Sequence, residues 1–357
     1  MATIYVMSME SFAGKTVFCL GLARKLADDG FSVGYIRPLT EAARNIESAN
    51  TCAAIMKRSL GLMESMDILD PVLVDGETLD WILSDRAVDY SQKVMDAFKI
   101  SSSGKDVMVV EGVSGLSEGY MVGLDAKTTV NMLGAQCVLL VRPKDEMIAD
   151  SILSAKSWMR DRMTGVIFNA VPRGMVEFVA ESLTPYLNRR GIKVYAIIPE
   201  DRMLMAVTVQ DLVDRIGGRV ISGSDHMDRL VETVMVGAMS GENALSYFRR
   251  KQHKVVITGG DRPDIQLAAL ETSTGCLMLT GNLNPSPIIL GKAEEMGVPV
   301  VVASQDTLTA ATLVEQAFTE VRFHEEKKIK RYERLLESHL NYEELRKDIG
   351  LAIKSSD

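Results

Sequence analysis

Short, nearly unbroken apolar runs alternate with longer segments of helical period through the first two hundred residues of this chain. The runs Ile4–Met7, Ser32–Ile36, Val107–Glu111, Cys137–Arg142, Gly165–Asn169 and Lys193–Ile198 predict strands covered on both faces, as in a parallel sheet. Between the first two, Phe18, Leu22 and Leu26 recur at helical spacing. They predict a helix that starts near Lys15 and stops at Gly30. This βαβ rhythm predicts a doubly wound α/β fold with a parallel sheet.

The rhythm pauses between about Asp201 and Gly218, which reads as an inter-domain link, and a second, smaller α/β set follows. It comprises a helix near His226–Met239, a strand Lys254–Thr258, a helix near Pro263–Thr272 and a strand Cys276–Thr280. A helix near Ile288–Met296, a strand Val298–Ala303 and a helix from Thr307 to about Glu320 complete it. From Phe323 onward the chain is densely charged, with Ile329, Tyr332, Leu336 and Leu340 forming one narrow apolar stripe. That stripe fits either a surface helix docked on the second domain or a dimer-forming arm. The expected organisation is residues 1–205, 206–321 and a helical tail over 322–357.

Composition narrows the classes. With 357 residues, 46% of them hydrophobic and 25% charged, the chain has ample material for buried cores. A net charge of −8 and no long Lys/Arg run leave no electrostatic reason to expect nucleic acid or an anionic membrane as partner. Cys19, Cys52, Cys137 and Cys276 stand far apart, which disfavours a disulfide framework or zinc knuckle and suits a reducing compartment. The first residues enter a strand without a basic leader, and no apolar stretch is long enough to span a bilayer. A soluble cytoplasmic protein is expected. His226, His253, His324 and His339 are isolated in sequence and make no metal-ligand pattern.

The densest candidate chemistry is Ser8-Met-Glu10-Ser11-Phe-Ala13-Gly14-Lys15-Thr16, between the first strand and the first helix. A loop there turns several backbone N–H groups into one concavity at a helix N-terminus, which suits phosphate. Lys15 would reach the β- and γ-phosphates, and the Thr16 hydroxyl would ligate Mg²⁺. The full pattern asks for glycine where Met9 stands, so an ordinary βα turn with an exposed lysine is the alternative. Glu111 closes a buried strand, where a carboxylate either meets a metal ion or is held by structural hydrogen bonds. Gly112-Val-Ser114-Gly115 is one residue out of register with a serine-hydrolase elbow.

Asn169 offers both a donor and an acceptor to an adenine edge, or satisfies its own turn. The loop at Pro199 would wall the same base. In the second set, Thr258-Gly259-Gly260-Asp261-Arg262-Pro263 forms another strand–loop–helix turn. Its glycines allow close approach, Asp261 is a candidate N-cap, and Arg262 could meet an anion. With the turns at Thr280–Pro287 and Ser304–Thr307 it makes either a second ligand site or a set of capped loops.

Taken together, residues 1 to about 205 resemble the P-loop domain of dethiobiotin synthetase. The resemblance rests on Gly14-Lys15-Thr16, Val33-Gly-Tyr-Ile-Arg37-Pro38, Val109-Val-Glu111-Gly112, Gly165-Val-Ile-Phe-Asn169-Ala-Val-Pro172 and Ile198-Pro199-Glu-Asp. Residues from about 210 to 320, with Gly259-Gly-Asp261-Arg262-Pro-Asp264, resemble a DRTGG domain, a fold related to half of a CBS pair. The tandem is similar to the N-terminal regulatory half of long-form phosphate acetyltransferase.

The resemblance implies ATP and Mg²⁺ as cofactors. Glu10, Ser11, Ala13, Gly14, Lys15, Thr16, Asn169 and Pro199 would bind the nucleotide, Thr16 and Glu111 the metal. Lys15 and Arg37 would be catalytic if there is chemistry. Three departures stand out. The family's acetyltransferase domain is not among these residues, so acetyl transfer is not expected from them. Arg37-Pro38 stands where the synthetase has Lys-Pro, and arginine is a poor proton shuttle. Asn50-Thr-Cys52 stands where the synthetase type has a second acidic metal ligand, with Glu47 the nearest carboxylate, which weakens the metal site.

The expected function is a nucleotide-binding regulatory or sensor protein, a homodimer or higher oligomer. Its partner would be an enzyme of acyl-phosphate or CoA metabolism. The alternative is an ATP-dependent ligase that activates a carboxylate or carbamate. A structural dimer with a vestigial loop is the third reading.

Overall fold

The β-branched runs form six parallel strands: β1 (Ala2–Ser8), β2 (Val33–Ile36), β3 (Val107–Glu111), β4 (Gln136–Val141), β5 (Met163–Val171) and β6 (Lys193–Pro199). They lie in the order β2-β3-β1-β4-β5-β6. Burial on both faces explains their unbroken apolar character: all of β3 is buried, as are Ile4 to Ser8 of β1. The computed structural model describes residues 1–41, 52–84, 90–319 and 326–352. It divides into two compact units, Met1–Glu200 with Phe323–Asp357, and Asp201–Arg322. Glu47, Asn50, Phe323 and His324 lie outside the described residues.

In the first unit β1 sits between β3 and β4, so its C-terminal end is where the strand order turns outward in both directions. Open α/β sheets bind ligands at such a point. Parallel register sets Val6 beside Glu111 and Ser8 beside Leu140. Helix α1 (Lys15–Asp28) follows directly, and α2 (Cys52–Leu60) packs against it. Gly30 beyond α1 takes φ 83°, in the left-handed region that glycine adopts without strain.

α1 is buried over more of its surface than one apolar face would require, including Val17, Phe18, Cys19, Leu20 and Gly21. The reason is the tail. Helix α3 (Glu326–His339) packs on α1 and β6 and belongs to the first unit, which corrects the expectation that assigned it to the second domain. Ile329, Tyr332 and Leu336 of the predicted stripe are buried in that contact. Leu340 makes an antiparallel bridge to Ala196 of β6.

The second unit holds a five-stranded sheet: β7 (Arg219–Ser222), β8 (Thr233–Val236), β9 (Lys254–Gly259), β10 (Thr274–Thr280) and β11 (Val300–Val302). The order is β7-β11-β10-β9-β8, with β7 alone antiparallel. Alternate residues face two cores. Val255, Ile257, Cys276 and Met278 join one, while Val256, Leu277 and Leu279 join the other.

One expectation fails here. The helix expected over His226–Met239 is instead a pair of strands, Leu230–Val231 and β8. Thr233-Val-Met-Val is a β-branched edge that pairs in register with Lys254–Ile257, and that pairing overrides a helical count of its apolar residues. The expected link at 201–218 contains the helix Val209–Ile216, fixed by a capping box between Thr208 and Asp211 and stopped by Gly217 at φ 63°. Among the described residues no helix is long and apolar enough to cross a membrane.

Candidate functional site

The turn from β1 into α1 is shaped by its own residues. Ser8, the last of β1, donates its hydroxyl to the Glu10 carbonyl at 2.6 Å, which starts the bend. Phe12 takes φ 58° and Gly14 φ 94°. Gly14 is required twice over: the angle is left-handed, and a Cβ there would lie 2.4 Å from Asn169 Nδ2. Met9 packs against the core, while the Phe12 side chain is 53% exposed and leaves the bend uncovered. Among the described residues, the backbone N–H groups from Glu10 through Thr16 find no acceptor. Unspent amides of this kind, converging at a helix N-terminus, form an anion-binding concavity.

Lys15 is buried, and its Nζ donates to Ser8 Oγ at 2.9 Å and Ser114 Oγ at 2.6 Å. Burial lowers its pKa, and the Glu111 carboxylate works against that shift. Thr16 Oγ1 donates to Glu111 Oε1 at 2.6 Å, and Tyr35 OH donates to Glu111 Oε2 at 2.8 Å. Glu111 is thus a buried carboxylate held by two neutral hydroxyls, with no ion pair to either neighbouring cation within salt-bridge distance. Thr16 and Glu111 fit a hard divalent cation as two adjacent oxygen donors. The third neighbour is soft: Cys52 Sγ lies 3.1 Å from Thr16 Oγ1.

Arg37 sits beyond β2, with its amide bonded to the Leu69 carbonyl at 2.7 Å. Its Nε is buried without a hydrogen-bond partner among the described residues. Burial is the largest single influence and opposes its charge, but Glu111, Cys52, Tyr35 and Asp70 together outweigh it and hold the guanidinium above its ordinary pKa. Glu10 pairs with Lys144 at the edge of a cavity of about 370 Å³ that also includes Arg142 and Asp145.

Lys15, Thr16, Glu111 and Arg37 are therefore brought together, along with the Gly14 bend. Asn169 also reaches the loop, but its Nδ2 donates to the Ala13 carbonyl at 2.8 Å and its Oδ1 accepts from Tyr332 OH at 3.0 Å. Its amide is committed to protein partners and not turned toward open space. Pro199 ends β6 opposite Val171, two residues beyond Asn169 along β5.

Sequence reasoning missed four participants. The motif around Ser114 suggests only an out-of-register hydrolase nucleophile, whereas its hydroxyl accepts from Lys15. Glu118 accepts from the Ser114 amide at 2.5 Å and carried no sequence signal. Tyr35 stood inside a quoted motif, and Tyr332 on the tail stripe, without a role for either hydroxyl.

The second candidate turn is closed on itself. Arg262 Nη2 donates to the Met239 carbonyl at 2.7 Å and pairs with Asp264 at 3.2 Å. Gln266 Nε2 donates to the carbonyls of Gly259 and Gly260. Thr258 Oγ1 donates to the Gly237 carbonyl at 3.1 Å. Asp261 does not cap the following helix, whose N-cap is Arg262 without a side-chain bond. Pro263 offers no N–H there, and Asp261 folds back toward Gly259.

Comparison with known proteins agrees with this division. Residues 2–208 match the AAA domain family and residues 211–317 the DRTGG domain family. A phosphate acetyltransferase of Nitrosomonas europaea is 24% identical over 98% of this chain and 52% of its own length. One from Synechocystis sp. is 24% identical over 86% of this chain and 46% of its own. An ATP-dependent dethiobiotin synthetase of Methanococcus vannielii is 24% identical over 47% of this chain and 79% of its own. The chain spans about half the length of the phosphate acetyltransferases it matches. It belongs to the AAA domain family, in the dethiobiotin-synthetase-like P-loop branch, and carries a DRTGG domain after it as does the N-terminal half of phosphate acetyltransferases.

Proposed function

We propose that this chain binds ATP with Mg²⁺ at the β1–α1 turn and acts as a nucleotide-responsive regulatory protein, rather than as an acetyl-transferring one. The observation that carries the reading is the run of unspent amides from Glu10 through Thr16 beside a buried lysine. A polyphosphate would satisfy those donors and take over the Lys15 ammonium from two neutral serine hydroxyls, a charge-assisted exchange that favours the ligand. Thr16 and Glu111 would hold the metal ion. A ligand that prefers one arrangement of the protein shifts its population toward that arrangement, which is the physical basis of sensing. The partner to be regulated would be an enzyme of acyl-phosphate or CoA metabolism, and self-association as a homodimer is part of the same proposal.

A second reading is an ATP-dependent ligase. Its support is Arg37, a guanidinium with a buried, unpartnered Nε near Glu111, able to hold an anionic acceptor. Calorimetry of ATP with and without Mg²⁺, followed by an assay for ADP release with bicarbonate and a diamine acceptor, separates the two. Saturable binding without acceptor-dependent ADP release is the expected result. Steady release would favour the ligase, and no binding heat or melting shift would leave the loop vestigial.

A further inference from the structure

Asn169 and Tyr332 connect two parts of the first unit that are far apart in sequence. The Ala13 carbonyl can only accept, so the Asn169 amide must present its NH₂ group to it. That leaves Oδ1 for Tyr332, whose hydroxyl must then donate. The three groups are nearly inaccessible to solvent, at 2%, 5% and 2% exposure for Ala13, Asn169 and Tyr332. A chain of bonds in such surroundings has no water to replace a missing link. It ends one residue before Gly14, whose left-handed bend directs the loop amides.

The tail helix that supplies Tyr332 is firmly seated. Arg24 of α1 bonds Glu333 at 2.9 Å and Glu326 at 3.2 Å. Gly21 lets Leu336 approach so closely that a Cβ at position 21 would lie 2.5 Å from Leu336 Cδ1. Beyond the helix, the Asn341 amide donates to the Tyr195 carbonyl at 2.7 Å, and Asp348 pairs with Lys193 at 2.7 Å. Neither family match reaches this segment.

We infer that the tail helix is a working part of the nucleotide site, with Tyr332 a positioning residue that holds Asn169 on the Ala13 carbonyl and so keeps the phosphate loop open for its ligand. This rests on the nucleotide reading above. Coupling of this kind is reciprocal: a nucleotide that fixes the loop must also tighten the tail.

The test uses the full chain and the variants Tyr332→Phe, Asn169→Ala and their combination. Hydrogen exchange without nucleotide is followed in peptides covering 9–16 and 326–339, and Mg²⁺–ATP affinity is measured by calorimetry. Tyr332→Phe should speed exchange in the loop and weaken ATP roughly threefold to tenfold, the worth of one neutral hydrogen bond. It should weaken ATP no further in the Asn169→Ala background, and ATP should slow exchange in the tail of the unaltered chain. Unchanged loop exchange, or an equal loss in both backgrounds, would overturn the inference, since Tyr332 would then contribute packing alone. If the unaltered chain binds no ATP, the nucleotide reading falls, and the exchange of the ligand-free loop still decides whether Tyr332 sets it.

Discussion

Two strand–turn–helix junctions in this chain carry a similar sequence signal, glycine and a cation ahead of a helix, and they differ in how their polar groups are satisfied. In the first unit the loop amides from Glu10 through Thr16 are unspent and the cation leans on neutral hydroxyls. In the second, Arg262 is spent on Met239 and Asp264, and Gln266 of the following helix ties down both glycine carbonyls. The first turn is braced from a distance, by Asn169 and the tail, and so stays open. The second is braced by its own next helix and closes. A glycine-rich turn therefore signals backbone freedom, and only the surrounding donors and acceptors decide whether that freedom serves a ligand.

The largest effect should come from removing the distant brace. Leu336→Ala leaves a cavity between the tail and α1 and should cost the first unit about 2–5 kcal/mol. Urea unfolding followed separately in each unit checks this; an equal loss in the second unit would mean that the brace is not confined to the first. Next in size, Lys15→Ala should weaken Mg²⁺–ATP about 10- to 150-fold, the range of a charge-assisted bond of about 1.5–3 kcal/mol. Arg262→Ala should leave that affinity unchanged in the same calorimetric titration. If the two variants lose affinity alike, the contrast between the turns is wrong.

Much of this was legible in the sequence, for identifiable reasons. A doubly buried strand must be apolar throughout, so β3 could be placed to the residue and the other strands of the first sheet to within one or two. Gly14, Lys15, Thr16 and Glu111 stand out as candidates because each sits where a strand ends or a helix begins, and chain order fixes those places. Ser114, Glu118 and Tyr332 were not found as site residues because their roles depend on tertiary neighbours. The helix expected over His226–Met239 failed for a related reason. An edge strand such as β8 has one partner and mixed burial, so its pattern is weak, and pairing with β9 decides its form. The tail stripe is legible as an apolar face, but nothing along the chain says which surface such a face will meet.

A pH comparison sharpens the contrast between the two units through their buried lysines. Lys254, at the start of β9, donates to the carbonyls of Lys251 and Ser273 and has no carboxylate to support its charge; burial pushes its pKa down to about 8. Lys15 is lowered by burial too, but Glu111 opposes the shift. From pH 8 to about 10.4, the ordinary lysine value, the unfolded chain keeps a proton at position 254 that the folded chain has released. Stability therefore rises with pH through that window, by up to about 1.4 kcal/mol per pH unit, and this contribution is flat below it. Denaturation of the second unit between pH 7 and 10 should show the rise, and Lys254→Met should remove it. A difference between the two proteins that does not change with pH would mean that Lys254 stays charged.

The smallest predicted effect concerns the metal. Cys52 Sγ, 3.1 Å from Thr16 Oγ1, puts a soft, weakly polar atom beside the two oxygens offered to Mg²⁺. Burial and the nearby Glu111 carboxylate both raise the thiol's pKa, so it supplies no anion at neutral pH. Cys52→Asp exchanges that thiol for a hard oxygen donor. Without metal the new carboxylate faces Glu111 and is repelled, so ligand-free stability should fall slightly. With Mg²⁺ the two acidic groups share a cation, and the metal's effect on ATP affinity should grow by roughly threefold to tenfold. The measurement is ATP affinity across a Mg²⁺ titration. A larger metal dependence in the aspartate variant than in the unaltered chain places the ion beside Thr16, whereas an unaltered dependence would place it elsewhere and remove Glu111 from its coordination.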